Sequence, residues 1–485
     1  MRSDALLLHD DFRVTPYWWD AAPPETARDA LPSGVDVVIV GSGYCGLSAA
    51  AVAARLGASV AVLDAAEIGA GGSTRSGGMV SSGQKLALTN AIRGVSAERL
   101  GRLMRESMAS FDYLKRLVAE ESLDADLQIT GRFFGAFTPR HFDRLRRQGD
   151  LLREKTGVTV HVVPRAEQHT VIGSDYYYGG ILVDEYGGLH TAKYHRALRD
   201  LARRCGATLH SHAGVERIER NGAGFRVHAT RGRIDTKHVL VATNGYTGRL
   251  LPFFARRVLP VASYQIATEP LPPGLMAVLN PGRRMISDSK RNLFYTRPSP
   301  DGTRMLFGSR PAIREVSERE AARMLHAKMI ELWPALRDVR ITHAWKGYVA
   351  MTGDKLAHIG EQDGIHYALG CNGNGVALMS YLGSRVVRSM LGLDAQAGAF
   401  GEGAFPVSPA GMASRLSVPV GTALYAFDDF WSGRARRAFL TDFPSQVLST
   451  EQTSCVFAIF SASLRLSCRY RSRCKATPVP TTSAR

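Results

Sequence analysis

The sequence predicts a chain that is part α/β and part α+β, and three observations predict it. A continuous apolar, β-branched run at 37–40 leads into a glycine-rich turn and a helical stretch of small residues, and a second apolar run at 59–63 follows. Two runs buried at every position and joined by a helix make a βαβ unit of a parallel sheet. Further on, long amphipathic helical patterns alternate with short strand-like runs such as 224–230 and 305–308, without a fixed repeat.

Residues 1–30 read as an irregular arm, with Tyr17, Trp18 and Trp19 as packing anchors. The strand at 37–40 is extended by Val35 across Asp36, and the helix after the turn covers 47–56. Leu100, Met104, Met108, Phe111, Leu114 and Val118 recur at helical spacing, which predicts a helix over 96–120. Another begins at Ser317, where Glu320 completes capping-box spacing, and ends by Trp333 because Pro334 follows. After Gly373-Asn374-Gly375, the stripe Leu378, Leu382, Val386 and Met390 predicts a helix that Gly392 can cap. From about Thr441 the chain is rich in Ser, Thr, Arg and Cys with little amphipathic order. It reads as a disordered tail or as a stretch translated in the wrong frame.

Composition narrows the function. With 485 residues, 45% of them hydrophobic, the chain can bury more than one domain core. No apolar stretch approaches the roughly 20 residues that cross a bilayer. The first twelve residues have no basic segment or cleavage site, so the cytoplasm is the expected address. Six cysteines without a CxxC pair fit reduced thiols. His210 and His212 lack the further ligands a metal needs, so no metal is expected. The formal charge of +17 comes from arginines spread along the chain and in the tail, so no nucleic-acid partner is expected.

The turn Gly41-Ser42-Gly43-Tyr44-Cys45-Gly46 lies between strand and helix, the context in which GxGxxG binds a dinucleotide. Gly41 permits the tight turn, Gly43 lets backbone approach a pyrophosphate, and Gly46 lets helix pack on strand. The helix N-terminus then offers unpaired N–H groups to the phosphates. Asp64 ends the second strand, where a carboxylate can accept hydrogen bonds from ribose hydroxyls. This is a Rossmann-type unit. A second glycine-rich loop, residues 69–78 with the sequence GAGGSTRSGG, is longer than a connection needs; its backbone can lie against a flat ring while Arg75 supplies charge. That loop favours FAD over NAD.

These residues resemble the D-amino acid oxidase-like family of FAD-dependent oxidoreductases, and within it the γ-glutamylputrescine oxidoreductase branch. The resemblance runs from about Tyr17 to Phe405 and rests on ordered motifs: PYWWD, DVVIVGSGYCGLSAA, GGSTRSGGMV, VLVATNGY at 239–246, SYQIATEPL at 263–271, WKGYVAMTGDKLAHIG at 345–360 and GCNGNGV at 370–376. It implies a Rossmann-type FAD-binding domain assembled from 31–88, 185–250 and 342–400, with an inserted mixed-sheet substrate domain at 89–184 and 251–341. A C-terminal segment at 401–440 and the tail at 441–485 would follow. Matching motif to motif, Gly41, Gly43, Tyr44, Cys45, Gly46 and Asp64 would hold the ADP half, and Val215 would lie by the adenine. Ser73, Arg75, Gly77 and Gly78 would line the flavin side with Ala242, Thr243 and Asn244. Asp354, Gly373, Asn374, Gly375 and Val376 would sit under the isoalloxazine. There the helix N-terminus would stabilise negative charge on the reduced ring.

Two positions depart from the branch, Asn374 where it has His and Ala357 where it has Pro. The cysteine to which sarcosine-type relatives attach flavin falls near Gly347, so FAD is expected to be non-covalent, and Cys371 is expected to be a small buried residue. The oxygen-activating lysine of those relatives falls in a stretch that reads Met305-Leu306-Phe307 here, which leaves O2 and another electron acceptor both open.

The implied reaction is oxidation of the C–N bond of an amine or amino acid by hydride transfer to flavin, with hydrolysis of the resulting imine. Arg75 and Arg310 are candidates for holding a substrate carboxylate bidentately, and Tyr264, Tyr295 and Trp345 for aromatic walls. Two other classes stay open at this point. A nicotinamide-dependent dehydrogenase would share the first βαβ unit but has no need of the later glycine loops. A non-catalytic FAD-binding paralogue would keep both loops.

Overall fold

The computed structural model describes residues 4–82, 95–248, 250–312, 314–394 and 398–408; the tail at 441–485 and most of the segment at 401–440 lie outside them. The first βαβ unit follows from its sequence. Strand β2 (Gly34–Val40) ends in four buried residues and pairs in parallel with β3 (Val60–Leu63), Val37 opposite Val60 and Val40 opposite Leu63. Helix α1 (Tyr44–Arg55) starts earlier than the small-residue pattern alone indicated, because extended Gly43 serves as its N-cap and the glycine turn feeds straight into it.

These strands belong to a sheet of eight. Its path runs β10 (Val215–Asn221), β11 (Gly224–Ala229), β12 (Gly232–Val241), β2, β3 and β9 (Thr208–His210). The hairpin of β18 (His358–Gln362) and β19 (Ile365–Leu369) joins β12 in parallel. A sheet of nine strands runs β1 (Leu8–Arg13), β17 (Ile341–Met351), β13 (Leu259–Thr268), β16 (Met305–Ser309), β15 (Tyr295–Pro298), β14 (Met285–Asp288), β5 (Arg132–Gly135), β7 (Gly180–Val183) and β6 (Val160–Val163). Parallel and antiparallel pairs mix within it, as in the expected α+β part. A short ribbon pairs β4 (Met79–Val80) with β8 (Gly187–Gly188).

The arm is more ordered than the sequence suggested. Its residues Leu8–Arg13 form the edge strand β1, paired in parallel with β17, and Tyr17–Asp20 form a helical turn. Trp18 is fully buried and donates from Nε1 to the Ser76 carbonyl at 2.9 Å; Trp19 Nε1 donates to Thr74 Oγ1 at 2.9 Å. The tryptophans therefore fasten the arm to the second glycine loop. The polar composition of β1, LHDDFR, hides an edge strand from a search for apolar runs.

The predicted helices form. Helix α2 (Ala97–Glu120) is capped by Ser96, whose Oγ accepts from Arg99 N, and it buries Met104, Phe111 and Leu114. Helix α3 (Thr191–Arg204) packs beside α1, and helix α4 (Glu318–Leu332) starts at the Ser317 cap, whose Oγ accepts from Glu320 N. Helix α5 (Gly375–Met390) lies against α1 so closely that a Cβ on Gly383 would stand 2.2 Å from the Cys45 carbonyl oxygen. None of the described helices is long and apolar enough to cross a membrane.

Candidate active site

Three glycines shape the first turn. Gly41 has φ +103, in the left-handed region, and its N–H donates to the Leu63 carbonyl at 2.8 Å. A Cβ on Gly46 would stand 1.9 Å from the Gly41 carbonyl oxygen, so only glycine lets α1 sit this close to the turn. Asp64 holds the turn from the second strand: its Oδ2 accepts from Ser42 N at 2.9 Å and Ser42 Oγ at 2.6 Å, and Oδ1 accepts from Ala66 N at 3.0 Å. His195 closes the underside at 2.8 Å from the Ser42 carbonyl, and burial pushes its imidazole down to about 4. Burial also pushes the Cys45 thiol up to about 12, which keeps it protonated.

The second glycine loop docks on the first. Ser73 Oγ accepts from Tyr44 N at 3.0 Å, at the start of α1. Arg75 is committed to the protein on two sides: Nε donates to the Ala70 carbonyl at 2.8 Å and Nη1 to the Lys346 carbonyl at 3.1 Å, while its guanidinium lies 4.6 Å from the Trp19 ring centre. Its own carbonyl accepts from Gln265 Nε2 at 2.8 Å and Trp345 Nε1 at 3.0 Å. Gly78, at φ +65, lies so close to the Leu189 carbonyl oxygen that a Cβ would stand 2.3 Å away. Arg297 Nη1 donates to both carbonyls there, Gly78 at 3.2 Å and Leu189 at 2.9 Å.

A third turn completes the enclosure. Asn244, at φ +45, accepts with Oδ1 from Gly370 N at 3.0 Å and Cys371 N at 3.3 Å, which ties β12 to the loop entering α5. Gly370 and Gly373 both have positive φ, and Asn374 caps α5 without a side-chain hydrogen bond to its backbone.

A cavity of about 490 Å³ joins all three turns. It is lined by Gly41, Gly43, Tyr44, Cys45, Asp64, Ser73, Arg75, Gly77, Gly78, Val215, Ala242, Thr243, Asn244, Gly373, Asn374, Gly375 and Val376. Tyr295 and Arg310 line it from the nine-stranded sheet. Gly46 is not among the lining residues, because it faces the Gly41 carbonyl and acts by packing.

Other expectations need correction. Tyr264 faces away from the cavity and donates from its hydroxyl to the Val316 carbonyl, because alternate residues of β13 point to opposite sides and Ser263 and Gln265 take the cavity side. Trp345 is buried under the Arg75 turn and does not line this cavity. Asp354 is likewise absent from the lining; its carboxylate pairs with His358 at 3.0 Å and accepts from Leu356 N at 3.1 Å. Cys371 is partly accessible and lines the cavity instead of being buried. Among the described residues no cluster could hold a metal ion.

Sequence reading missed Arg132, Ser263, Gln265, Tyr246 and Tyr348 in the lining. The alternation of β13 could have pointed to Ser263 and Gln265; nothing in the local sequence singles out Arg132.

The cavity fits a flavin dinucleotide. The N-termini of a 12-residue helix, α1, and a 16-residue helix, α5, open into it, each offering N–H groups and a positive dipole end. The glycine cradles between them leave no room for a Cβ at Gly46 or Gly78. The first turn would hold the diphosphate, and the 69–78 loop with the α5 N-terminus the ring system.

Comparison with known proteins agrees. The family model described as FAD dependent oxidoreductase (DAO) matches residues 36–388. The chain is 30% identical over 406 residues to the probable oxidoreductase OrdL of Rhizobium meliloti, an alignment covering 83% of this chain and 94% of that protein. It is 27% identical over 380 residues to the gamma-glutamylputrescine oxidoreductase of Escherichia coli, covering 77% and 87%. Among solved structures, glycine oxidase from Geobacillus kaustophilus shares the fold at a TM-score of 0.65 and 21% identity, covering 78% of this chain and 99% of its own. With the glycine turns, the helix termini and the family match in agreement, this chain is an FAD-dependent oxidoreductase and belongs to the DAO family.

Proposed function

We propose that the enzyme oxidises the C–N bond of an amine or amino acid, taking hydride from the carbon that bears the neutral amine. The observation that carries this reading is the continuity of one cavity from the α1 N-terminus to the face of the nine-stranded sheet, where Ser263, Gln265, Tyr295, Ser309 and Arg310 line it. A substrate lying on that face is held beside the glycine loops that favour a ring. FAD, when bound, supplies the two-electron acceptor. The protein's part is to orient substrate and limit water.

Tyr295 suits an orienting role. Its hydroxyl lies 2.9 Å from Ser263 Oγ, and burial pushes the phenol up to about 12, so it stays protonated and able to donate. The imine product is hydrolysed by water to a carbonyl compound and free amine. The name of the Escherichia coli relative makes a γ-glutamylated amine the first substrate to try. Either O2 or another acceptor would reoxidise the flavin; the interior of β16, Met305-Leu306-Phe307, is buried and apolar and offers no lysine.

The test is anaerobic mixing of the FAD-loaded enzyme with amines, amino acids and γ-glutamylated amines. Loss of the oxidised flavin absorbance, with stoichiometric imine-derived carbonyl, is the expected result. Enzyme that holds FAD and bleaches with none of them refutes this reading and leaves a non-catalytic flavoprotein. Peroxide formed on admitting air identifies O2 as the acceptor.

A further inference from the structure

The second glycine loop is gripped by its carbonyls. Thr74 O accepts from Thr191 Oγ1 at 3.2 Å, Arg75 O from Gln265 Nε2 at 2.8 Å and Trp345 Nε1 at 3.0 Å, and Ser76 O from Trp18 Nε1 at 2.9 Å. All of these donors lie outside the loop, and Trp18 comes from the N-terminal arm, 58 residues away in sequence. A trans peptide is planar, with the carbonyl of one residue and the N–H of the next pointing in opposite directions. None of the described peptide bonds is cis. The Ser76 and Gly77 N–H groups therefore point away from the tryptophans. Both residues line the cavity, whereas Trp18 and Trp345 do not, and among the described residues neither N–H has an acceptor. Two adjacent backbone donors left open along a cavity wall form a site for an acceptor that the protein itself does not supply.

The two peptide planes are not held equally. The Arg75 carbonyl has two donors. Among the described residues the Ser76 carbonyl has one, Trp18, which is fully buried in a cluster with Ala192, Ala267 and Leu306. The residue after Ser76 is glycine. Turning that peptide over changes mainly ψ of Ser76 and φ of Gly77, and glycine accepts φ of either sign. Without the Trp18 N–H the Ser76 carbonyl would lose its partner, and the peptide could then present its oxygen to the cavity where it now presents the Gly77 N–H.

We propose that Trp18 is a positioning residue of the flavin site: by holding the Ser76 carbonyl outward it keeps the Gly77 N–H turned into the cavity as a donor to the ring system, and so raises the reduction potential of FAD. The arm is then part of the redox site as well as an anchor for packing. Two-electron reduction adds negative charge to the ring, and a fixed N–H dipole favours that charge, where a carbonyl in its place opposes it. Trp19 acts differently. Its Nε1 donates to Thr74 Oγ1, a side-chain atom that belongs to no peptide plane, so it fastens the loop without setting the direction of an N–H. The inference needs bound FAD and no particular substrate.

The experiment measures the two-electron potential of FAD-loaded enzyme anaerobically against a reference dye, without substrate, in wild type, Trp18→Phe and Trp19→Phe. Phenylalanine keeps a buried ring and removes the donor. Loss of a neutral hydrogen bond changes an equilibrium by roughly 3- to 10-fold. Trp18→Phe should weaken binding of reduced relative to oxidised FAD by that factor, which lowers the potential by about 15–30 mV for a two-electron couple. Trp19→Phe should leave the potential in place. The double variant Trp345→Phe/Gln265→Leu, which frees the Arg75 carbonyl and with it the Ser76 N–H, should lower the potential in the same way and carries the test if Trp18→Phe does not fold. The proposal is overturned if Trp18→Phe, or the double variant in its place, keeps the wild-type potential whatever its melting temperature, if the potential rises, or if Trp19→Phe shifts it equally. Any of these leaves amine oxidation itself standing, whereas wild-type protein that takes up no FAD removes both readings.

Discussion

Replacing Gly46 by Ala tests the physical basis of the cofactor site. The new Cβ would stand 1.9 Å from the Gly41 carbonyl oxygen, 3.1 Å from its carbon and 3.2 Å from Ile39 Cγ2. Ordinary contact begins near 3.4 Å, so α1 must withdraw by about 1.5 Å. The opposite side is closed, because α5 touches α1 where Gly383 meets the Cys45 carbonyl. Overpacking of this kind costs about 1–3 kcal/mol. A shift of that size also moves the α1 N–H groups out of the 2.7–3.2 Å range of a hydrogen bond, and each such bond to a charged group contributes about 1.5–3 kcal/mol. FAD affinity should therefore fall by tenfold or more, measured by reconstitution of apoprotein. Gly57→Ala is the control: unlike Gly46 it has a positive φ, +87, but nothing lies within 4 Å of its Cβ, so stability should fall slightly and FAD affinity should not. A Gly46→Ala enzyme with wild-type FAD affinity and melting temperature would refute the argument that close packing of α1 makes the site.

Three further outcomes are expected. Asp64→Asn removes the charge that gathers Ser42 N, Ser42 Oγ and Ala66 N, and should weaken FAD binding by about tenfold in the same reconstitution assay. Asn244→Ala leaves the Gly370 and Cys371 N–H groups without their acceptor, at about 1–3 kcal/mol each; thermal unfolding should show the loss, and unchanged stability would mean the loop finds other acceptors. His190 and His195 are both pushed down to about 4 by burial. The unfolded chain then binds more protons between about pH 6.5 and 4, so their stabilisation is complete above the upper limit and is lost as pH falls. Each contributes a slope of at most about 1.4 kcal/mol per pH unit there, and denaturant unfolding of His195→Asn should show a shallower pH dependence than wild type.

What the sequence made legible was the part of the fold in which local chemistry and tertiary demand coincide. At Gly41, Gly43 and Gly46, a turn, a ligand approach and a helix contact each exclude a side chain, so the residue type itself carries the information. The Ser317 cap and the α2 stripe are legible for the same reason: capping and burial act over a few residues. The arm was misread because β1 is an edge strand whose burial pattern carries a single buried position, Leu8. Tyr264 and Trp345 were misplaced because residue type announces an aromatic wall but not which side of a strand it occupies.

Arg132 marks the limit of that kind of reading most clearly. In the string GRFFGAF it is an arginine at the start of a strand, where a solvated charge is the ordinary expectation. Its significance lies in what surrounds it: Ser287 from a neighbouring strand, Ser81 beyond the second glycine loop, and a cavity wall in place of a carboxylate. Those groups are 155 and 51 residues away in sequence, so no window contains them. Glycine constraints can be read one residue at a time. What a buried arginine touches is a property of a whole neighbourhood, and a cavity wall is assembled from such neighbourhoods.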